Sequence, residues 1–373
     1  MIIVKGDKPY SYSIKKTQRI FDPDNDALLM GGDTEPGTRR FVVVDANVYR
    51  LYKTEIGNYF AQRGVDAKIA LIDSGDKQKS ETSYISLFSD LCDYDVRRRS
   101  EPLIAIGGGV VTDLAGFVAS TYRRGVPHIK VPTTLMGYVD ASVGIKTGVN
   151  FGPFKNRMGS FEIPAGVILD KSFLKTLDRR NLANGVGEIV KLAVITDASL
   201  FHDLEQAKST LYALKFQDAL GQVILDKSIQ GMVHELSPNL YETDLQRKVD
   251  FGHTFSLAIE SASGYEIMHG EAVAIDVLFS SFLSLQRGIL PQREYYRIVG
   301  LYRSLGLPMW SPNITPDLFW NGVQERVMHR DGKQLIPIPT AIGECAFLND
   351  LEWNEVRSAV AVLEREHLEW RTA

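Results

Sequence analysis

The sequence contains few cysteines and no long hydrophobic run. Two cysteines, Cys92 and Cys345, occur among 373 residues, and they form no CxxC pair. This scarcity argues against a disulfide framework or a thiolate metal site and fits a reducing compartment. No run approaches the roughly 18 apolar residues of a membrane-spanning helix, and residues 1–16 lack the apolar core of a secretion signal. We therefore expect a cytoplasmic protein that does not insert into a membrane.

The sequence also lacks a strong excess of either charge. Its 42 lysines and arginines nearly balance 46 aspartates and glutamates, which gives a net charge of -4. Neither nucleic acid nor an anionic membrane is therefore expected as a partner, and any anion-binding site must be local. A length of 373 residues with 44% hydrophobic residues favours two domains over one large core.

Two patterns divide the chain. Between about residues 41 and 170, short β-branched runs alternate with helix-like segments, which is typical of a parallel sheet with crossover helices. From about residue 173, apolar residues recur at helical spacing over longer segments. We therefore predict a Rossmann-like α/β nucleotide-binding domain at residues 1–172 and a mainly α-helical domain at residues 173–373. A cleft between two such domains is the expected place for chemistry.

A glycine turn follows the strand-like run PLIAIG. Gly107, Gly108 and Gly109 let the backbone approach a phosphate, and Asp113 is placed to cap or orient the following helix. The turn does not have the GxGxxG spacing, so tight packing explains it equally well on its own. Asp45 and Asn47 end another strand-like run and offer polar groups to a ribose, although such residues are also common in turns. Because these strand ends meet at one edge of a parallel sheet, we expect a dinucleotide to lie across them.

Several charged residues lie between residues 123 and 156, separated by apolar or glycine spacers. A solvated surface accounts for Arg123, but Lys146 has Val143, Ile145 and Val149 as its neighbours along the chain. A lysine in apolar surroundings is a candidate for phosphate binding, or for proton transfer with a lowered pKa.

Three candidate metal ligands lie in distinctive phrases: Glu188 in GVGEIVK, His253 in DFGHTFS and His269 in HGEAVAID. Two imidazoles and one carboxylate suit a catalytic zinc, because three protein ligands leave a fourth position for water or substrate. One such histidine alone is more often a hydrogen-bonded helix residue, so the prediction depends on the three phrases together. Glu188 and Lys191 are three residues apart and share a helix face, either as an exposed ion pair or as a ligand and a cation aimed at one substrate.

Six phrases occur in the order found in one enzyme family: GGGVVTDLAGFVASTYRRG, VPTTLMGYVDASVGIKTGVN, KNRMGSF, GEIVK, GHTF and HGEAVAI. Over about residues 41–350, the chain resembles the sugar phosphate cyclases, the family of dehydroquinate synthase. The resemblance implies an N-terminal α/β domain that holds NAD and a C-terminal helical domain that holds zinc, with Co²⁺ as the alternative metal. It also implies a homodimer.

The resemblance implies roles for individual residues. Zinc is expected at Glu188, His253 and His269. For catalysis and phosphate binding, it points to Arg124, Asp140, Lys146, Lys155, Asn156, Lys191 and Asp250, with His329 and Arg330 from the phrase MHRDG. For NAD, it points to Asp45, Asn47, Asp76, Lys79, Gly108, Gly109, Val110, Asp113, Thr133, Thr134, Met136, Asp140, Lys146, Lys155, Thr176 and Leu177.

The chain departs from the dehydroquinate synthase pattern at several polar positions. Leu257 replaces a histidine, Asp250 an asparagine, and Gln246 lies near an expected arginine, while the segment GMVHELSPNL lacks an expected lysine. A substrate carboxylate would need these partners, because burying it unpaired costs several kcal/mol. Asp250 would add repulsion. We therefore expect a sugar phosphate substrate without a carboxylate.

Further phrases, SPNLYE, YRRGVP, VGIKTGVNF and MHRDG, resemble the branch of the family that cyclises sedoheptulose 7-phosphate. The implied product is 2-epi-5-epi-valiolone or a stereoisomer such as 2-epi-valiolone, because Leu257 stands where this branch usually has proline. Desmethyl-4-deoxygadusol, made from the same substrate, is the first alternative.

The implied chemistry is transient oxidation by NAD, β-elimination of phosphate, reduction and intramolecular aldol closure. A dehydroquinate synthase, a glycerol dehydrogenase-like oxidoreductase and a non-catalytic nucleotide-binding relative are the remaining alternatives. The three intact ligands argue against the last of these.

Overall fold

The structure is a computed structural model that describes residues 1–6, 10–152 and 154–372. It consists of two compact units: residues 1–133 with 141–173, and residues 134–140 with 174–373. The division into functional domains after residue 172 stays a prediction. Within the described residues, no helix is both long enough and apolar enough to cross a membrane.

A six-stranded parallel sheet forms the centre of the first unit. Its strands are β1 (Ser13–Thr17), β2 (Arg39–Asp45), β3 (Asp66–Ile72), β4 (Leu103–Gly107), β5 (His128–Pro132) and β8 (Gly166–Asp170). Their order across the sheet is β1-β8-β5-β4-β2-β3. A separate antiparallel hairpin consists of β6 (Lys146–Phe151) and β7 (Phe154–Phe161). The predicted α/β architecture of this half is confirmed.

Both faces of the sheet are buried at its four central strands, which explains why β2, β4, β5 and β8 are mostly apolar. Helices α1 (Ala46–Gln62), α2 (Glu81–Tyr94) and α3 (Gly109–Thr121) follow β2, β3 and β4 in the chain. Val43 of β2 packs in a core with Leu114 of α3, whereas Val42 and Val44 pack on the opposite face with Ile56 of α1. Side chains alternate between the two faces because a strand has a period of two.

The strand order reverses at β2, since β3 lies on one side of it and β4 on the other. In an open parallel sheet, ligands bind outside the carboxyl ends of the strands at such a switch point. The residues at these two ends are Asp45 of β2 and the glycines that follow β4. The topology therefore places the predicted ribose carboxylate and phosphate turn at the edge where a dinucleotide binds.

The sequence pattern did not predict β1 or the β6–β7 hairpin. Strand β1 has the sequence SIKKT and no buried side chain, because it is an edge strand that pairs only with β8. The hairpin carries the lysine-rich phrases GIKTGVN and FKNRMGS, and Gly148 pairs with Gly159 in it. Apolar alternation is absent from both segments, so neither was recognisable as a strand.

The second unit is mainly helical, as predicted. Its helices are α4 (Arg179–Thr196), α5 (Ala198–Ala207), α6 (Thr210–Leu214), α7 (Ala219–Leu236), α8 (Ser256–Ala262), α9 (His269–Gln286), α10 (Gln292–Leu305), α11 (Pro316–His329) and α12 (Trp353–Thr372). An antiparallel hairpin, β9 (Ile336–Ala341) with β10 (Glu344–Leu348), completes it. Helix α9 is buried along most of its length and packs against α4, α8, α10, α12 and β9.

Candidate active site

The structure brings the three predicted metal ligands together in the second unit. Glu188 lies on α4, His253 in the loop before α8, and His269 at the first position of α9. One ligand atom from each residue lies within 4.8 Å of the other two. The Oε1 atom of Glu188 is 3.8 Å from Nε2 of His253 and 3.5 Å from Nε2 of His269. These residues, from three different elements, form one cluster.

Two glycines allow this close approach. A Cβ atom at Gly187 would lie 2.2 Å from the carbonyl oxygen of Gly270, and one at Gly270 would lie 1.8 Å from the carbonyl oxygen of Asn184. The Asn184 side chain also accepts a hydrogen bond from the Gly270 backbone N–H at 2.7 Å. Helix α4 therefore meets the start of α9 backbone to backbone, which sets Glu188 beside His269.

Hydrogen bonds hold both imidazoles with Nε2 toward Glu188. The Nδ1 atom of His269 is 2.9 Å from the Glu260 carboxylate, and Nδ1 of His253 is 3.1 Å from the Phe251 carbonyl. Each acceptor calls for a proton on Nδ1, so Nε2 is the ring nitrogen that can bind a metal. A carboxylate or carbonyl behind each imidazole is the usual support of metal-binding histidines.

The charges of the cluster also suit a metal cation. The Glu188 carboxylate is buried, with Lys191 Nζ 2.5 Å from its Oε2 atom and the two imidazoles beside its Oε1 atom. Burial lowers the pKa of His253 to about 3, so this imidazole is neutral and can act as a ligand. Burial would also lower the pKa of His269, but the carboxylates of Glu260 and Glu188 raise it to about 10. The negative potential that favours a proton on His269 also favours a divalent metal cation at this position, so these residues fit zinc.

Lys191 lies beside this cluster, on the same face of α4 as Glu188, as the spacing of three residues predicted. Its side chain is 1% exposed. Burial alone would lower the pKa of Lys191, but the carboxylates of Glu188, Asp140 and Asp250 raise it above the usual value. Lys191 is therefore a cation at neutral pH. Asp140 belongs to a π-helix at Gly137–Ala141, a rare form that is frequent at functional sites.

A second group of predicted residues meets in the first unit. The Lys79 ammonium is 2.6 Å from the Asp113 carboxylate and 2.6 Å from the Asn156 side-chain oxygen. Lys155 forms an ion pair with Asp76 at 3.0 Å. Residues from the loop after β3, from α3 and from β7 thus form one polar network, as expected if they serve a common ligand.

The glycine turn also has its expected place, directly before α3. Gly108 precedes α3, and no side chain caps that helix, which leaves its first N–H groups free of a side-chain acceptor. The expectation that Asp113 caps α3 is wrong, because its carboxylate pairs with Lys79 instead. Asp45 is the cap of α1, where its carboxylate accepts from the N–H groups of Asn47 and Val48 at 2.8 and 3.2 Å.

The family of the chain follows from comparison with known proteins. Family models of the 3-dehydroquinate synthase N-terminal and C-terminal parts match residues 69–184 and 185–333. The chain belongs to the dehydroquinate synthase-like family of sugar phosphate cyclases. It is 42% identical to a 2-epi-5-epi-valiolone synthase of Streptomyces albus over 96% of this chain and 90% of the relative. It is 35% identical to a demethyl-4-deoxygadusol synthase of Trichormus variabilis over 96% of this chain and 88% of the relative.

A solved structure of the same family has the same fold. ValA, the 2-epi-5-epi-valiolone synthase of Streptomyces hygroscopicus subsp. jinggangensis, was solved with NAD⁺ and Zn²⁺ bound. It superposes with a TM-score of 0.94 at 38% identity, over 98% of this chain and 100% of that one. The predicted fold class and family are therefore confirmed.

The surroundings of Asp250 differ from the expectation. Its carboxylate is 3.5 Å from guanidinium nitrogens of both Arg247 and Arg326, and it accepts a hydrogen bond from Arg330. Glu242 also pairs with Arg247 at 2.5 Å. The charge of Asp250 is thus compensated by arginines that the sequence did not indicate, and its repulsion of a substrate carboxylate stays a prediction. Burial would raise its pKa, but these arginines hold the pKa of Asp250 well below the usual value.

Asp250→Asn is expected to destabilise the protein by about 3–5 kcal/mol at pH 7, because it removes the shared partner of buried guanidinium groups. The folded-state pKa of Asp250 is depressed, so its stabilising effect is complete above the unfolded pKa of about 4 and is lost as the pH falls below it. Urea unfolding at several pH values measures the difference. Asp350→Asn, which removes an exposed partner of Arg287, is the control and should change little. Equal stability of Asp250→Asn and wild type at pH 7 would contradict this account.

Lys146 also has different surroundings from those expected. Its side chain is exposed at the start of β6, so the expected apolar environment of Lys146 is wrong. The buried lysine of this region is Lys130 on β5, which donates to the Gly144 carbonyl at 3.0 Å. Burial lowers the pKa of Lys130 to about 8.

Other predicted site residues lie at strand ends, turns and helix ends. Thr133 and Thr134 follow β5, and Met136 lies in the helical segment after them, whereas Val110 lies in the first turn of α3. The side chains of Arg124 and His329 are exposed, and Arg123 pairs with Asp95 at the surface, as its solvated interpretation predicted. Thr176 and Leu177 precede α4, and the Leu177 carbonyl accepts from Lys215 at 2.9 Å. Their assigned roles stay predictions.

Two buried acids of α8 and α9 were not predicted from the sequence. Glu260 is 1% exposed and contacts His269, and Asp276 is fully buried and contacts the start of α8. Glu260 lies seven residues after His253, and Asp276 lies seven after His269. For Asp276, which lies two helical turns after His269 on α9, this spacing is the one signal that could have suggested it.

Proposed function

We propose that this protein cyclises sedoheptulose 7-phosphate to 2-epi-5-epi-valiolone with release of phosphate, using NAD and zinc. The observation that carries the proposal is the cluster of Glu188, His253 and His269 in a chain that aligns almost end to end with 2-epi-5-epi-valiolone synthases. The ligand set leaves a coordination position for substrate, as a catalytic zinc requires.

We propose that Glu188, His253 and His269 hold the metal, and that the strand ends of the first unit hold NAD. Bound zinc would polarise substrate hydroxyl groups, and bound NAD would take up and return a hydride. The first N–H groups of α3 point to the position of an anion, and the glycine turn before them lets a pyrophosphate approach. Asp45, at the switch point, is the proposed partner of a ribose hydroxyl.

Lys191 is proposed to stabilise negative charge that develops on a substrate oxygen. The carboxylates of Glu188, Asp140 and Asp250 raise the pKa of Lys191, which favours its ammonium form, so Lys191 Nζ donates hydrogen bonds. Its burial excludes water, which strengthens this electrostatic effect. Lys146, Lys155, Asn156 and Arg124 are the proposed phosphate partners, since ammonium, amide and guanidinium groups all donate to phosphate oxygens.

NAD is expected to be required but not consumed. The substrate loses only phosphoric acid, so the cyclic product has the same overall oxidation level as the substrate, and no net NADH can form. With NAD at the enzyme concentration, phosphate release should continue for many turnovers while absorbance at 340 nm does not rise. NADH formed in proportion to product would instead indicate an oxidoreductase with a similar fold.

Desmethyl-4-deoxygadusol is the second candidate product, because the demethyl-4-deoxygadusol synthase of Trichormus variabilis is also similar over most of this chain. The identity to the Streptomyces albus valiolone synthase is higher, at 42% against 35%. We also propose a homodimer in the cytoplasm. Sedimentation equilibrium of the purified protein tests the dimer.

A further inference from the structure

Two buried carboxylates connect α8 with α9 next to the metal cluster. Glu260 of α8 accepts from Nδ1 of His269, the first residue of α9, at 2.9 Å. Asp276 of α9 accepts in turn from the backbone N–H groups of Phe255 and Ser256, at 2.5 and 3.0 Å. Each helix thus supplies an acid that fixes the start of the other.

Asp276 replaces a missing cap at the start of α8. The first N–H groups of a helix have no acceptor within the helix, and the residue before α8 is Phe255, whose side chain cannot accept a hydrogen bond. The Asp276 carboxylate takes two of these N–H groups through Oδ2, while its Oδ1 atom accepts from the Ser280 hydroxyl at 2.9 Å. Hydrogen bonds to an ionised carboxylate are roughly twice as strong as neutral ones.

The capped segment carries a proposed metal ligand. His253 lies two residues before Phe255, in a short loop that turns at Gly252, where φ is 77°. The His253 imidazole receives one support from this loop, through the Phe251 carbonyl. Its position therefore depends on the path of the backbone on both sides of it, and Asp276 fixes the path on the side of α8.

We propose that Asp276 is a positioning residue for the metal centre: by capping α8 from α9, it fixes the backbone that presents His253 to Glu188 and His269. The inference rests on the proposed metal site. Helix α9 would then control both histidines, His269 directly and His253 through Asp276. The Phe255 ring also packs on Phe319 and Phe279, with ring centroids 4.8 and 4.9 Å away, so apolar packing is the competing explanation of the loop position.

The test is the zinc affinity of the purified protein, measured by chelator competition without substrate or NAD. Asp276→Ala should weaken zinc binding by about 10–100-fold, the usual effect of removing a group that orients a ligand. It should also change the visible absorption spectrum of the Co²⁺-loaded protein, which reports ligand geometry. Asp276→Asn, which keeps one acceptor oxygen but no charge, should weaken zinc binding by about 3–10-fold. If Asp276→Ala does not fold, Asp276→Asn decides the question.

Tyr302→Phe is the matched control. Its hydroxyl donates a buried hydrogen bond to the Ala274 carbonyl of α9 at 2.7 Å, so the variant loses a buried hydrogen bond to α9 but keeps the cap. Its zinc affinity and Co²⁺ spectrum should remain those of wild type. Wild-type zinc affinity in the Asp276 variants, or an equal loss in Tyr302→Phe, would overturn the inference. His269→Ala separates the two proposals: if it binds zinc normally, the metal site itself is wrong, whereas loss of zinc there but not in the Asp276 variants refutes only the positioning role.

Discussion

His269→Ala is expected to lower kcat/KM by at least about 10³-fold and to reduce bound zinc. This loss corresponds to about 4 kcal/mol of transition-state stabilisation. His269 supplies one of three ligand atoms that lie within 4.8 Å of one another, and its removal leaves two. Glu188→Ala and His253→Ala should behave in the same way. Phosphate release measures turnover, and elemental analysis of the dialysed protein measures zinc.

His202→Ala is the control for this experiment. His202 is an exposed histidine of α5, in the same unit, and its imidazole contacts Gln206. Its replacement should change neither zinc content nor turnover. Full zinc occupancy in all three single variants of the proposed ligands would show that the metal site is elsewhere.

The second large effect concerns the substrate. Sedoheptulose 7-phosphate should be cyclised, whereas the heptulosonate 7-phosphate of dehydroquinate synthase should react at least about 10³-fold more slowly. This factor corresponds to about 4 kcal/mol, well within the cost of burying an unpaired carboxylate. Asp250 already occupies the guanidinium groups of Arg326 and Arg330, and Glu242 pairs with Arg247. A substrate carboxylate would have to displace these acids, whereas a neutral hydroxymethyl group would not.

Both substrates are compared at equal concentration with the same enzyme preparation, and phosphate release is measured. A known dehydroquinate synthase confirms that the heptulosonate is reactive. Comparable rates with both substrates would contradict our interpretation of Asp250, Gln246 and Leu257. In the structure, Asp250 pairs with Arg326 and Arg330. It therefore disfavours a substrate carboxylate by occupying these cations as well as by repulsion.

The fold could be predicted for those segments in which the spacing of apolar residues reflects burial. Strand β2 is an apolar run because both faces of the sheet are covered, and α9 is apolar nearly all round because it is surrounded by other elements. Strand β1 lies at an edge of the sheet with no buried side chain, and the β6–β7 hairpin is rich in lysine and glycine. Their pairing depends on neighbours that are distant in the sequence.

Some parts of the candidate site could likewise be predicted from the sequence, and others could not. The three proposed metal ligands, Glu188, His253 and His269, could be predicted because each lies in a distinctive local sequence and has a side chain that can bind zinc. The state of Asp250 could not, because two of its arginines, Arg326 and Arg330, lie more than 70 residues away along the chain. Asp276 and Glu260 were missed for a related reason: each acts on a residue outside its own helix, and apart from the spacing between His269 and Asp276, nothing in the local sequence distinguishes them from ordinary helix acids.

The most direct test of the account is the identity of the product from purified protein, sedoheptulose 7-phosphate, catalytic NAD and zinc. We predict one phosphate for each molecule of 2-epi-5-epi-valiolone, identified by NMR, with no build-up of NADH. Desmethyl-4-deoxygadusol as the product would instead indicate the activity of a demethyl-4-deoxygadusol synthase. An oxidised acyclic sugar formed with stoichiometric NADH, or no cyclised product at all, would contradict the central claim.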